Sequence, residues 1–138
     1  MATLRELTEK YKTYTYEELV GRAAEDYRIL LPVFDNASKN HDGRFYVMIF
    51  MYGSLVSDGK LTGKEYEFSK DVLGLSKEEI DNVINRGKSE SATDIADSIF
   101  DVCPDAIKAI LLDFCLCFVA VDGEIDRKEI GFLARLLA

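Results

Sequence analysis

The chain has 138 residues, 48% of them hydrophobic, with two prolines, no tryptophan and a formal net charge of -8, which bounds it to a single domain able to bury about two thirds of its unfolded surface without staples. The charge is uneven: residues 1 to 44 hold 7 basic and 8 acidic side chains, and residues 45 to 138 hold 10 and 17. That balance excludes a nucleic-acid binder, which needs a basic footprint, and matches a cation or a basic protein surface instead.

Apolar spacings of three and four, with no alternating run, predict an all-helical chain. Met1 to Lys12 is amphipathic and of mixed charge rather than a leader; Thr3 with Glu6 forms a capping-box pair, and Leu4, Leu7 and Tyr11 follow at helical spacing. Thr15 with Glu18 opens a second helix whose Leu19, Ala23, Tyr27, Leu30, Phe34 and Ala37 share one stripe, and Pro32 is expected to kink or split it near Leu31. Asp42 is placed to cap a buried helix from Gly43 to about Ser57, with Gly53 marking a close helix crossing. Thr62 with Glu65 caps an amphipathic helix carrying Tyr66, Phe68, Val72 and Leu73 to a stop at Gly74. Ser76 with Glu79 caps the next, carrying Ile80, Val83 and Ile84 to Gly87. The polar break Lys88 to Ser91 is too short to separate domains.

A helix from Ala92 to Val102 should turn Ile95, Ile99 and Val102 inward, and Pro104 suits the first turn of a second buried helix through Val121. Asp126 with Glu129 caps a last helix carrying Ile130, Leu133 and Leu137. The apolar runs Phe45 to Val56 and Ile107 to Val121 fall short of the roughly 18 residues of a membrane span, so both read as core helices and no transmembrane segment is expected. Cys103, Cys115 and Cys117 are odd in number and lack a CxxC, which fits inert buried thiols in a reducing, cytoplasmic setting.

Phe50 to Leu73 repeats as Phe114 to Leu137: Asp58-Gly59 falls on Asp122-Gly123, Lys64-Glu65 on Lys128-Glu129 and Phe68 on Phe132. The expected fold is therefore all-α: an orthogonal helical domain in which two duplicated helix-loop-helix units with Asp-Gly loops, 42–87 and 88–138, surround two buried helices. An amino-terminal helical segment, 1–41, precedes them within one domain over 1–138. The second copy ends at Ala138, where the first goes on through Gly74-Leu75-Ser76 into a further helix, and so is short by one element.

Two readings of the paired loops stand side by side. In one, Gly59 and Gly123 relax a turn, Leu61 and Ile125 plug the core, and Thr62/Glu65 and Asp126/Glu129 exchange capping bonds. In the other, Asp58, Glu65, Asp122 and Glu129 converge on a hard divalent cation such as Mg or Ca. Neither loop alone is a calcium site, because the first two ligand positions of an EF-hand would fall on Ser54 and Val56, or on Phe118 and Ala120.

An acidic stripe of Glu90, Asp94, Asp97, Asp101 and Asp105, with no Lys or Arg between Ser89 and Ile107, is either a solvated face or a docking face for a basic partner. Asp113 is rotated about half a turn from the second loop and is not expected to join it. His41, the one histidine, has no nucleophile placed beside it in a recognisable motif. Tyr11, Tyr14 and Tyr16 suit either a binding surface or packing with wet hydroxyls.

The run Val121-Asp122-Gly123-Glu124-Ile125-Asp126 with Glu129, preceded by Ser57-Asp58-Gly59-Lys60-Leu61-Thr62 with Glu65 and then Leu73-Gly74-Leu75-Ser76, resembles a TerB-like tellurite-resistance domain over about Gly43 to Ala138. The resemblance implies an all-helical domain of bacterial stress-response systems, found also in the amino-terminal part of a DnaJ-like membrane chaperone. It further implies divalent metal binding at the positions that here are Asp58, Glu65, Asp122 and Glu129. The function expected from residues and resemblance together is a non-enzymatic cytoplasmic binding module in tellurite resistance or envelope stress, with a protein partner and an association with a membrane-bound complex. The alternatives are a structural adaptor working through the acidic helix face, and a metal-dependent hydrolase, which would need an open coordination position and an adjacent base.

Overall fold

The computed structural model describes residues 3–37, 42–52, 61–89 and 92–121, with the backbone alone at residues 4, 88, 89, 92, 93 and 95–97. The elements are α1 (Leu4–Tyr11), α2 (Tyr16–Ala37), α3 (Gly43–Met51), α4 (Gly63–Leu73), α5 (Lys77–Ser89), α6 (Ala92–Val102) and α7 (Asp105–Ala120). The chain is all-α, as its apolar spacing predicts, and no described helix is long and apolar enough to cross a membrane.

Two helices define the interior. In α3 every residue except Arg44 is buried, and in α7 Leu111 and the whole run Phe114–Ala120 are buried. Helices apolar on all sides must be covered on all sides. The long α2 does most of this, packing against both α7 and α3, while α5 and α6 close over α3 and α1 lies against α7. Phe34 of α2 meets Phe50 of α3 edge-on at 5.6 Å, and Tyr27 stacks on Phe114 of α7 at 6.3 Å. Those two α2 positions are about two helical turns apart on one stripe, so a single helix spans both buried ones. Phe68 of α4 completes the aromatic cluster against Phe118.

Local signals set the boundaries. Thr15/Glu18, Thr62/Glu65 and Ser76/Glu79 each exchange both capping-box bonds, at 2.9 to 3.2 Å, and Thr3 accepts from the Glu6 amide. Gly74 ends α4 at φ 71°, a left-handed conformation that penalises a Cβ.

Several expectations are corrected. Pro32 does not split α2, which runs unbroken from Tyr16 to Ala37. Proline removes one intrahelical bond to residue 28, and the packing of Leu30 and Phe34, both fully buried, holds the helix on either side. Helix α5 runs past Gly87 to Ser89. The Asp42 side chain makes no capping bond; it pairs with Arg86 at 2.9 Å, and Asp35 of α2 instead accepts from the Gly43 amide at 3.2 Å. The tight approach lies here: a Cβ at Gly43 would sit 2.2 Å from the Asp35 backbone nitrogen. Gly53, where a crossing was expected, falls outside the described residues, as do Phe132 and the last helix.

Gly43→Ala is therefore expected to destabilise by about 1 to 3 kcal/mol or more, because the backbone of α2 must move. Gly21→Ala, with nothing within 4 Å of its Cβ position, should stabilise by about 0.5 to 1 kcal/mol through helix propensity. Urea unfolding of the two variants checks both signs.

Candidate functional site

Of the four loop carboxylates, Glu65 alone lies among the described residues; Asp58, Asp122 and Glu129 lie outside them. Glu65 is buried at the head of α4, its Oε1 accepting from the Thr62 amide at 2.9 Å while its own amide donates to Thr62 Oγ1 at 3.2 Å. The Thr62/Glu65 capping box is thus present. Beneath it, Ser69 donates to the Glu65 carbonyl and the Tyr52 hydroxyl is buried in the same corner, where burial pushes its pKa up. Among the described residues no three His, Cys, Asp or Glu side chains converge in a way that could hold a metal ion.

The acidic stripe is partly described. Asp94, Asp101 and Asp105 are exposed, and Asp105 sits in the first turn of α7, where a negative charge complements the helix dipole. Glu90 and the side chain of Asp97 are not described. Ile99 is buried as expected, but Val102 is 76% exposed rather than turned inward. The reason is positional: α6 ends at Val102, Cys103 turns into the core in its place, and Pro104 leads into α7. An exposed valine therefore follows exposed Asp101 directly and precedes exposed Asp105 in the chain.

A second polar centre has Asp113 at its middle. Tyr11 of α1 donates a hydrogen bond to Asp113 Oδ1, and Arg22 of α2 donates to the same oxygen at 2.7 Å. The Arg22 guanidinium also lies over the rings of Tyr11 and Tyr14, 5.5 and 5.1 Å from their centroids. One turn further along α2, the Asp26 carboxyl pairs with the Asp113 carboxyl, and Asp26 Oδ2 is buried with no donor in reach among the described residues. Two carboxyls can share a hydrogen bond only if one keeps its proton.

Burial first, then the bond and charge of Asp113, push the Asp26 pKa up to about 9. Burial acts in the same sense on Asp113, but the bonds it receives from Asp26, Tyr11 and Arg22 outweigh it and hold its pKa below the usual carboxylate range. Burial also raises the Tyr11 hydroxyl and the Cys115 and Cys117 thiols, keeping them protonated at neutral pH. All three cysteines are buried and free, as their apolar surroundings predict.

Sequence reasoning missed this centre. Its signal was a lone aspartate inside an otherwise apolar helix, since a charge there requires a partner, together with Arg22 and Asp26 spaced to share a face of α2. An open hollow of ≈ 280 Å³ between α3 and α5 has Arg44, Phe45, Met48, Val83 and Arg86 in its wall. Its arginines are engaged, Arg86 with Asp42 and over the Phe45 ring at 3.8 Å, Arg44 with the Leu73 carbonyl. His41 lies outside the described residues.

No family model, curated protein or solved structure matches the chain.

Two pH dependences follow with opposite sign. Asp26, raised on folding, contributes stability that is complete below its ordinary value near 4 and is lost as pH rises toward about 9. Asp113, lowered on folding, contributes stability present above its ordinary value and lost as pH falls through its depressed one. Asp26→Asn should therefore match the wild type near pH 4 and exceed its stability at pH 8, as followed by denaturant unfolding at each pH. Thr62→Ala should cost about 0.5 to 2 kcal/mol through the lost cap, a loss read in the same assay.

Proposed function

We propose that the protein is a non-enzymatic binding module that docks a basic partner on the corner formed by the end of α6 and the start of α7. The observation that supports this reading is the exposure of Val102 between Asp101 and Asp105, with Asp94 exposed on the same helix. An apolar contact flanked in the chain by acids suits a partner surface carrying a hydrophobic side chain among Lys or Arg, the acids governing encounter rate and register and the valine supplying dry contact. The like charges one turn apart do nothing for α6 itself.

The described groups with chemical potential are engaged elsewhere: the thiols are held protonated by burial, and Asp26, Asp113 and Arg22 are bonded to one another. The TerB-like resemblance supplies the setting, a bacterial tellurite-resistance or envelope-stress system, and with it a Mg or Ca ion at Asp58, Glu65, Asp122 and Glu129. The twofold relation of the two repeat units belongs to the same proposal. The burial of Phe50 and Phe114, each against an aromatic ring of α2, supports it.

Photo-crosslinking from position 102 in cells should capture a protein partner, and replacing Asp94, Asp101 and Asp105 by Asn should reduce that capture and its salt sensitivity without lowering stability. Capture unchanged by the three substitutions and by salt would overturn the docking corner. For the ion, millimolar Mg or Ca should raise the melting temperature, and Asp58→Asn with Asp122→Asn should abolish the shift. A wild-type melting curve indifferent to both metals would overturn the ion reading.

A further inference from the structure

The hollow between α3 and α5 has in its wall a cation and an anion that do not neutralise each other. Arg44, the one residue of α3 that is not buried, donates to the Leu73 carbonyl at the end of α4, at 3.3 Å. Glu79 accepts from the Ser76 amide at 3.2 Å, which seats its carboxylate at the start of α5. Leu73 and Ser76 are three residues apart, so the chain separates the two anchors by at most about 10 Å, and the left-handed turn at Gly74 falls short of full extension. Both side chains line the same hollow, yet neither takes part in an ion pair among the described residues. The other charged pair in the wall is already closed: Asp42 meets Arg86 at 2.9 Å, and the Arg86 guanidinium lies over the Phe45 ring. Met48 and Leu75 supply buried apolar side chains, and Val83 a half-buried one.

We propose that this hollow binds a free α-amino acid with an apolar side chain, its carboxylate on Arg44, its ammonium on Glu79 and its side chain against Met48 and Val83. Such a molecule carries both charged groups on one carbon and, with a hydrogen bond at each end, reaches from one head to the other. A guanidinium has five N–H donors, so Arg44 keeps donors for a carboxylate beside its bond to Leu73 and its contact with the Tyr27 hydroxyl. Glu79 gives one oxygen to the Ser76 amide, and its second carries no bond among the described residues. The four charged groups in the wall sum to zero, which favours neither a plain anion nor a plain cation. An anion would stand against Glu79 and a cation against Arg44, whereas a zwitterion satisfies both. The volume, ≈ 280 Å³, lies at the small end for ligand pockets, which run from roughly 300 Å³ upward, and suits a molecule of this size. The site is separate from the corner of α6 and α7, so its failure and the failure of that docking reading are independent.

The test is an NMR titration of the full chain with L-leucine and with L-phenylalanine, with calorimetry for the affinities. Amide and methyl shifts should concentrate on α3 and α5 around the hollow. Glycine, which has no side chain to place on Met48, should bind about tenfold more weakly or worse. N-acetyl-leucine lacks the ammonium and leucine amide lacks the carboxylate, and each should lose about tenfold or more against leucine. Two variants assign the ends. In Glu79→Gln, which keeps the helix cap because Gln also accepts there, leucine and N-acetyl-leucine should bind alike; in Arg44→Gln, leucine and leucine amide should bind alike. No shift with either amino acid at tens of millimolar, shifts confined to another face, or glycine, N-acetyl-leucine or leucine amide binding as tightly as leucine would each overturn the proposal. Should Arg44→Gln not fold, the ligand series on the wild type and Glu79→Gln still decide.

Discussion

Everything in this structure answers to two helices that have almost nothing to offer water. Helix α3 buries every residue but Arg44, and α7 buries an unbroken run from Phe114 to Ala120. A conventional amphipathic helix can rest one face on a core and leave the other wet, whereas these cannot, and their apolar area is recovered only if other helices enclose them. Helix α2 is long because one element has to reach both. Its Phe34 and Tyr27 contact the two buried helices separately, and the approach at Gly43 lets its end come within backbone contact of α3.

Apolar enclosure does not by itself fix the register of one helix on another, since hydrophobic burial is not directional. Polar pins do that here. Tyr11 bonds Asp113, Tyr16 bonds Asp71 at 2.6 Å and Tyr66 bonds Asp81, tying α1 to α7, α2 to α4 and α4 to α5. Each pin places the ring against apolar surface and the hydroxyl on a carboxylate at the rim, so one side chain contributes both burial and orientation. The same bonds raise the tyrosine hydroxyls, with burial as the larger cause, and leave them as donors across the neutral range.

Around this frame the acidic groups take different tasks according to their surroundings. Glu65 is drawn inward as a helix cap, Asp113 receives Tyr11 and Arg22, and Asp94, Asp101 and Asp105 remain at the surface. A surface carboxylate loses little by waiting for a partner, since water solvates it, whereas a buried one must be satisfied at once. That difference is why Glu65, half-buried Asp113 and its neighbours are bonded within the fold while Asp94, Asp101 and Asp105 stay exposed.

The sequence by itself determined the helical class, the enclosure of α3 and α7, the burial of the thiols, and three capping boxes. Each of these depends on residues within a turn or two of one another, and a Thr or Ser with Glu three residues on closes the same bonds almost regardless of the remaining chain. Exposure at a helix end was not legible: Val102 carries the same apolar signal as Ile99, and only the turn at Cys103 sets it outside. Nor did the pattern disclose that Asp35 rather than Asp42 would serve the Gly43 amide, because the choice depends on where α2 crosses α3. The Asp113 centre lay furthest from view. Its bonds to Tyr11 and Arg22 span 102 and 91 residues, and a lone aspartate in an apolar helix announces that it needs partners without naming them. Tertiary structure made that choice, since only the packing of α1 and α2 onto α7 brings a hydroxyl, a guanidinium and a second carboxyl within reach of the same oxygens.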